Sequence, residues 1–187
     1  KFYDNIPVLG YLLLKGQSCC CQKPISVQYP LIEILIALIA VTSFSYYGVT
    51  IATFTIFLLA TSLVILFMTD FKEYIIPNTI TYPLAVIGLS LSVLELNPLN
   101  TFVVDSLVGG IASGLLFFII SKAYFYLKNR DGLGLGDVKM IAMLGFWLGV
   151  EAILMIIIVS SILGIIVGLS LIAAKKIEAQ EYLPYGC

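Results

Sequence analysis

The sequence predicts an all-α, polytopic membrane helix bundle with about six transmembrane helices, led by a short cytoplasmic segment. Three observations carry this. Of 187 residues, 60% are hydrophobic and 11% charged, where soluble domains run near 45–50% and about 25%. The apolar residues gather in six runs. When those runs are threaded alternately through a bilayer, the cationic residues all collect on one side. A chain of this length cannot bury so much apolar surface in a core of its own, so lipid is its natural solvent. Net charge is −1 with no basic tract, which argues against a nucleic-acid partner.

In chain order, residues 1–30 read as a cytoplasmic juxtamembrane segment and 31–187 as a transmembrane domain. Within the first, Ile6-Pro7-Val8-Leu9 and Tyr11-Leu12-Leu13-Leu14 are apolar. Polar and turn residues keep either stretch from reaching the ~18 residues of a span. Cys19, Cys20 and Cys21 stand side by side and Cys187 alone; such spacing gives no disulfide framework and fits a reducing, cytosolic setting. The apolar runs are Leu31–Tyr47, Ile51–Thr69, Thr81–Leu94, Phe102–Ser121, Val138–Leu148 and Ala152–Ala174. Backbone groups in lipid must bond within their own segment, so these are helices. The third and fifth are short for a span, and Gly149-Val150-Glu151 leaves little room for a turn after the fifth. Beginning at Lys1 and stopping at Leu183-Pro184-Tyr185-Gly186-Cys187, the chain is expected to lack sequence at both ends.

Alternating spans put loops 1–30, 70–80, 122–137 and 175–187 on one side. Nine of the ten Lys and Arg residues lie in those loops, with Lys139 at their edge, and none in the loops near 48–50, 95–101 and 149–151. The first side is therefore cytoplasmic, with both ends inside. Gly110/Gly114 and Gly164/Gly168 have the small-xxx-small spacing that lets helices approach closely. Packing within the bundle is the expected use, ahead of a dimer face.

Ionisable residues at membrane depth need an explanation. Glu33 falls in the first turn of a helix opened by Pro30, where the helix dipole favours a carboxylate, and Asp105 lies just inside another helix start. Glu95 and Glu151 belong to the outer loops. Asp70 and Asp137 are different. Asp70 ends the apolar run Leu63-Val64-Ile65-Leu66-Phe67-Met68-Thr69 at a helix C-terminus, where the dipole opposes it. Asp137 opens a helix just after Gly132-Leu133-Gly134-Leu135-Gly136. Topology puts both at one depth, near the cytoplasmic boundary. Glycines beside a carboxylate allow another chain to approach closely and permit positive φ.

These stretches together resemble the type IV prepilin peptidases, membrane-embedded aspartic proteases whose second aspartate lies in a GxGD motif. The resemblance is carried by Ile6-Pro7-Val8-Leu9, by Pro24-Ile25-Ser26 with Tyr29-Pro30-Leu31-Ile32-Glu33, and by Asp70 with Ile76-Pro77-Asn78 and Thr81-Tyr82-Pro83-Leu84. Gly134-Leu135-Gly136-Asp137-Val138-Lys139 through Trp147-Leu148-Gly149, and Leu183-Pro184-Tyr185-Gly186, complete it in family order. It implies that Asp70 and Asp137 are catalytic, with Gly134, Gly136, Lys139, Pro77 and Asn78 as supporting motif residues. It implies a substrate, a prepilin or pseudopilin cut after a glycine between a basic leader and an apolar helix, and a bacterial inner membrane setting. It also implies N-methylation of the new N-terminus with S-adenosylmethionine, for which Glu33 and the N-terminal segment are the candidates. The family commonly has eight helices and often two CxxC zinc pairs. Here Cys21 matches the second cysteine of one pair and Ser18 stands in place of the first. Cys19 or Cys20 substitutes as the zinc ligand, or the zinc site is absent.

Two carboxylates that share a proton hydrolyse peptides directly: one takes a proton from the attacking water and the other donates to the carbonyl oxygen. No metal or cofactor is needed for that step, which suits a sequence without histidine. Competing readings are an ion-coupled transporter, whose carboxylates belong nearer the midplane, and an inactive structural subunit of a pilus or secretion machine. Signal-peptide-peptidase and presenilin relatives share GxGD but not the Ile6-Pro7-Val8-Leu9, Tyr29-Pro30 and Ile76-Pro77-Asn78 stretches.

Overall fold

The computed structural model describes residues 6, 8–14, 16–17, 23–128 and 133–173. Cys19, Cys20, Cys21, Cys187 and Gly132 lie outside them. Six helices follow in order: α1 (Leu9–Leu13), α2 (Gln28–Tyr47), α3 (Ile51–Glu73), α4 (Asn78–Val93), α5 (Val103–Lys128) and α6 (Leu135–Ala173). Among the described residues there is no strand, only an isolated bridge between Gln17 and Pro24. The fold is the expected polytopic helical bundle. By length and composition α2, α3, α5 and α6 can each cross a membrane, and α4 is a shorter apolar helix. α6 contains the fifth and sixth predicted runs, with non-helical backbone at Gly149 (φ 78, ψ 178). That conformation is essentially restricted to glycine, so one residue replaces the loop expected at 149–151.

Several hydroxyl side chains sit inside these apolar helices because they bond back to their own turn. Thr42 donates to the Leu38 carbonyl (2.8 Å), Thr55 to that of Ile51 (3.0 Å) and Thr69 to that of Ile65 (3.1 Å). Each donor is thereby satisfied without a partner from outside.

The chain forms two compact units, Lys1–Val64 and Ile65–Cys187, with the boundary inside α3. In the first, α2 starts at Gln28, so Pro30 lies within its opening turns rather than before them. Glu33 is therefore two residues further in than expected, beyond the first turn, and a dipole argument does not account for it. Its carboxylate instead accepts the backbone N–H of Val8 at 2.7 Å. Val8, the residue before α1, has φ 61, so this bond anchors a strained turn at the start of the segment.

In the second unit α4, α5 and α6 pack on one another. α5 and the stretch 135–148 run antiparallel, as the cross-helix bonds show: Ser106 Oγ to the Phe146 carbonyl (2.6 Å), Ser113 Oγ to that of Ile141 (3.3 Å) and Ser121 Oγ to that of Leu133 (3.0 Å). Glycines bring the two backbones together. A Cβ on Gly109 would stand 2.7 Å from the Gly145 carbonyl oxygen and one on Gly110 2.5 Å from the Phe146 ring. Gly114 faces Ala142 at 3.0 Å, whereas nothing lies within 4 Å of Gly164. Gly110/Gly114 thus serves packing within the chain, as expected.

Breaking the helix at Gly149 strands carbonyls at the end of its first half, and distant side chains cap them. Asn97 Nδ2 (3.0 Å) and Thr101 Oγ1 (2.9 Å) both donate to the Trp147 carbonyl, and Asn97 also donates to Ser92 Oγ (2.9 Å). The Trp147 side chain is fully buried, donates Nε1–H to the Leu84 carbonyl (2.8 Å), and fills the space that Gly88 leaves open. Asn97→Leu is expected to cost about 1–3 kcal/mol, since it removes a buried donor without replacing it. Thr101→Val on top of it should cost more than it does alone, because the shared carbonyl is then orphaned. Unfolding midpoints of the purified variants in detergent measure both effects.

Candidate active site

Asp70 lies in the last turn of α3 and is 6% exposed. The helix stops one turn later, where Tyr74 adopts φ 54 and its N–H bonds the Asp70 carbonyl (2.8 Å). Ile76 precedes a proline, which favours extended backbone, and Pro77 itself is extended (φ −69, ψ 126) before α4 begins at Asn78. The Pro77 carbonyl accepts the N–H groups of Ile80 (3.1 Å) and Thr81 (3.3 Å), and so starts the helix.

Asp137 lies in the first turn of α6, where the dipole stabilises a carboxylate. The Gly134 carbonyl accepts the N–H of Asp137 (3.1 Å) and of Val138 (3.4 Å). A Cβ on Gly134 would stand 3.4 Å from Asp137 Oδ2, and one on Gly136 would stand 3.0 Å from Ile76 Cβ. Gly136 therefore serves close approach, whereas a Cβ on Gly134 would meet only ordinary van der Waals contact. Neither uses the positive φ that the sequence allowed; among the described glycines that belongs to Gly16, Gly48 and Gly149.

The segment after Asp70 and the start of α6 are thus packed against each other within one unit. Asp137 lies between two residues, Gly136 and Lys139, that touch the stretch following Asp70. Beside them Lys139 Nζ donates to Asn78 Oδ1 at 2.9 Å and stands 5.6 Å from the centre of the Tyr82 ring. Asp70, Pro77, Asn78, Gly134, Gly136, Asp137 and Lys139 are all brought into one neighbourhood. Ile76 and Tyr82 join them; the sequence carried both in the stretch after Asp70, but only as motif neighbours. Glu33 belongs to the first unit. Among the described residues no group of three His, Cys, Asp or Glu side chains could hold a metal, and the cysteine positions fall outside them.

The model of the type IV leader peptidase family matches residues 57–169, a span that contains both aspartates and every contact just described. The chain belongs to the type IV leader peptidase family. The bacterial peptidase A24 N-terminal domain matches residues 1–47 as well. Among the relatives, the prepilin leader peptidase/N-methyltransferase of Aeromonas hydrophila is 34% identical over 98% of this chain and 62% of its own length. The protein of that name from Xanthomonas campestris pv. campestris is 32% identical over 100% and 64%, and that from Pseudomonas putida 29% over 100% and 64%. The chain therefore spans a little over three-fifths of the length of these family members. No solved structure matches it.

Proposed function

We propose that this chain is the catalytic part of an intramembrane aspartic endopeptidase that removes the basic leader from type IV prepilins or pseudopilins. The observation that carries the reading is the pair Asp70 and Asp137, one buried in the last turn of α3 and the other in the first turn of α6, whose flanking residues Gly136 and Lys139 meet Ile76 and Asn78 in the stretch after Asp70. The two carboxylates share one proton. The ionised member accepts a proton from water as that water attacks the scissile carbonyl, and the protonated member donates to the carbonyl oxygen. A coupled pair titrates as a unit, so the two roles belong to the pair rather than to one residue each. Gly134 and Gly136 leave backbone without side chains beside the pair, and this supports an extended substrate segment. The cationic residues, which gather with Asp70 and Asp137 on one side of the predicted topology, support cleavage at the cytoplasmic face of a bacterial inner membrane, where a basic leader would be held.

The relatives' names also include N-methyltransferase. S-adenosylmethionine would supply the methyl group for that reaction. Glu33 is exposed and engages the Val8 N–H, a chemistry that suits holding an amine or hydroxyl donor. We assign it to the methyl-transfer half, together with the segment it anchors.

Cleavage of a prepilin by the wild type, Asp70→Asn and Asp137→Asn in liposomes tests the peptidase reading. Wild-type rates in both variants would refute it.

A further inference from the structure

We infer that Lys139 is a positioning residue for the aspartate pair: its bond to Asn78 holds the start of α6 at a fixed distance from the Asp70 segment. The inference rests on the peptidase reading above. A lysine at a membrane boundary ordinarily extends its ammonium toward water. This one stays at the exposed surface but leans on the first turns of α4, donating to Asn78 Oδ1 at 2.9 Å in an exposed bond, with the Tyr82 ring 5.6 Å away. Asn78 and Tyr82 are four residues apart and so present neighbouring side chains on one helix. They hold the ammonium from two sides.

The location gives this bond its consequence. Gly136, the residue before Asp137, seats on Ile76, where an added Cβ would stand 3.0 Å from Ile76 Cβ. Lys139, two residues beyond Asp137, is bonded to Asn78. A helix end held at one point can still roll about it, and a helix end held on both sides of a residue cannot. Asp137 lies between the two contacts, and both partners, Ile76 and Asn78, belong to the short stretch that follows Asp70. A misplacement of about 1 Å between reacting groups can cost on the order of 100-fold in rate. Because the bond is exposed, it favours the engaged arrangement by about 2- to 5-fold, a bias that adds to the seating of Gly136 on Ile76.

The test is a double-mutant cycle on the full-length protein, with a prepilin as substrate and kcat and KM read separately. Lys139→Met, which keeps the length of the side chain, and Asn78→Ala should each lower kcat by about 2- to 5-fold and leave KM unchanged. The double variant should be no worse than the poorer single one, because the two residues act through one bond. Lys139→Arg should recover most of the rate, since a guanidinium donates to an amide oxygen and packs on an aromatic ring. Multiplicative losses in the double variant, or losses confined to KM, would overturn the positioning role. So would unfolding midpoints that fall in step with activity, since that marks a purely structural contact. Asp70→Asn and Asp137→Asn in the same assay separate the two claims. If they cleave normally, the peptidase pair itself fails; if they are dead while Lys139 and Asn78 are uncoupled, only the positioning role does.

Discussion

Asp70→Asn and Asp137→Asn are each expected to lower prepilin cleavage by about 1,000-fold or more. The substitution keeps size and shape, so the fold should survive, but a carboxamide neither takes a proton from water nor passes one to a leaving group. Proton transfer by one positioned group contributes about 10²–10⁴-fold, and in the proposed mechanism each carboxylate depends on the other to hold the shared proton. The double variant should therefore be hardly worse than either single one, as for residues that act as a unit. Asp70 is buried and Asp137 only partly so, so carboxylate geometry matters as well as chemistry: Asp70→Glu, one methylene longer, should not restore activity. Cleavage rates in liposomes, with folded protein confirmed by its unfolding transition, measure all four. A variant that loses turnover while it keeps its transition is the expected outcome.

Gly145→Ala should lower the unfolding midpoint by about 2–12 °C, and Gly145→Leu should leave no folded protein to purify. A Cβ at this position falls on the Gly109 carbonyl and close to Gly110 Cα (2.8 Å). These are backbone atoms, which cannot swing aside as a flexible side chain would. Overpacking of this kind costs about 1–3 kcal/mol even for small insertions, and a kcal/mol moves the midpoint of a chain this long by about 2–4 °C. Pushing α5 and α6 apart would also stretch the Ser106–Phe146 bond of 2.6 Å. Gly164→Ala is the matched control: its Cβ meets nothing within 4 Å, so it should leave the midpoint unchanged. Equal effects at 145 and 164 would show that helix propensity, rather than close packing, is what these glycines govern.

How much of this could be read from the sequence differs from element to element. Apolar runs located α2 through α5, because a bilayer span is a property of local composition. They missed the end of α5: the run stops at Ser121, but the helix continues to Lys128 with Tyr126 and Leu127 exposed. Backbone hydrogen bonds propagate past Lys122 whether or not the side chains are apolar. Pro30 marked the start of α2 two residues late, since proline is tolerated within a helix's opening turn. The aspartates were legible because a carboxylate is conspicuous in an apolar chain and the glycines beside Asp137 are not needed by a helix. The caps at Gly149 and the Lys139–Asn78 bond were not legible. They join residues 46 to 61 positions apart, and no local pattern records such pairings.

The brevity of α4 bears on the membrane itself. Its 16 residues rise about 24 Å, less than the ~30 Å of a typical hydrocarbon core. Lipids that meet it must shorten or tilt their chains, at a cost that grows with each ångström of mismatch. Acyl-chain length thus becomes a variable to which this protein responds, and its turnover should rise in vesicles of shorter-chain lipids and fall in thicker ones. On the peptidase reading, where the protein works best in a cell would then depend on which patch of bilayer fits α4.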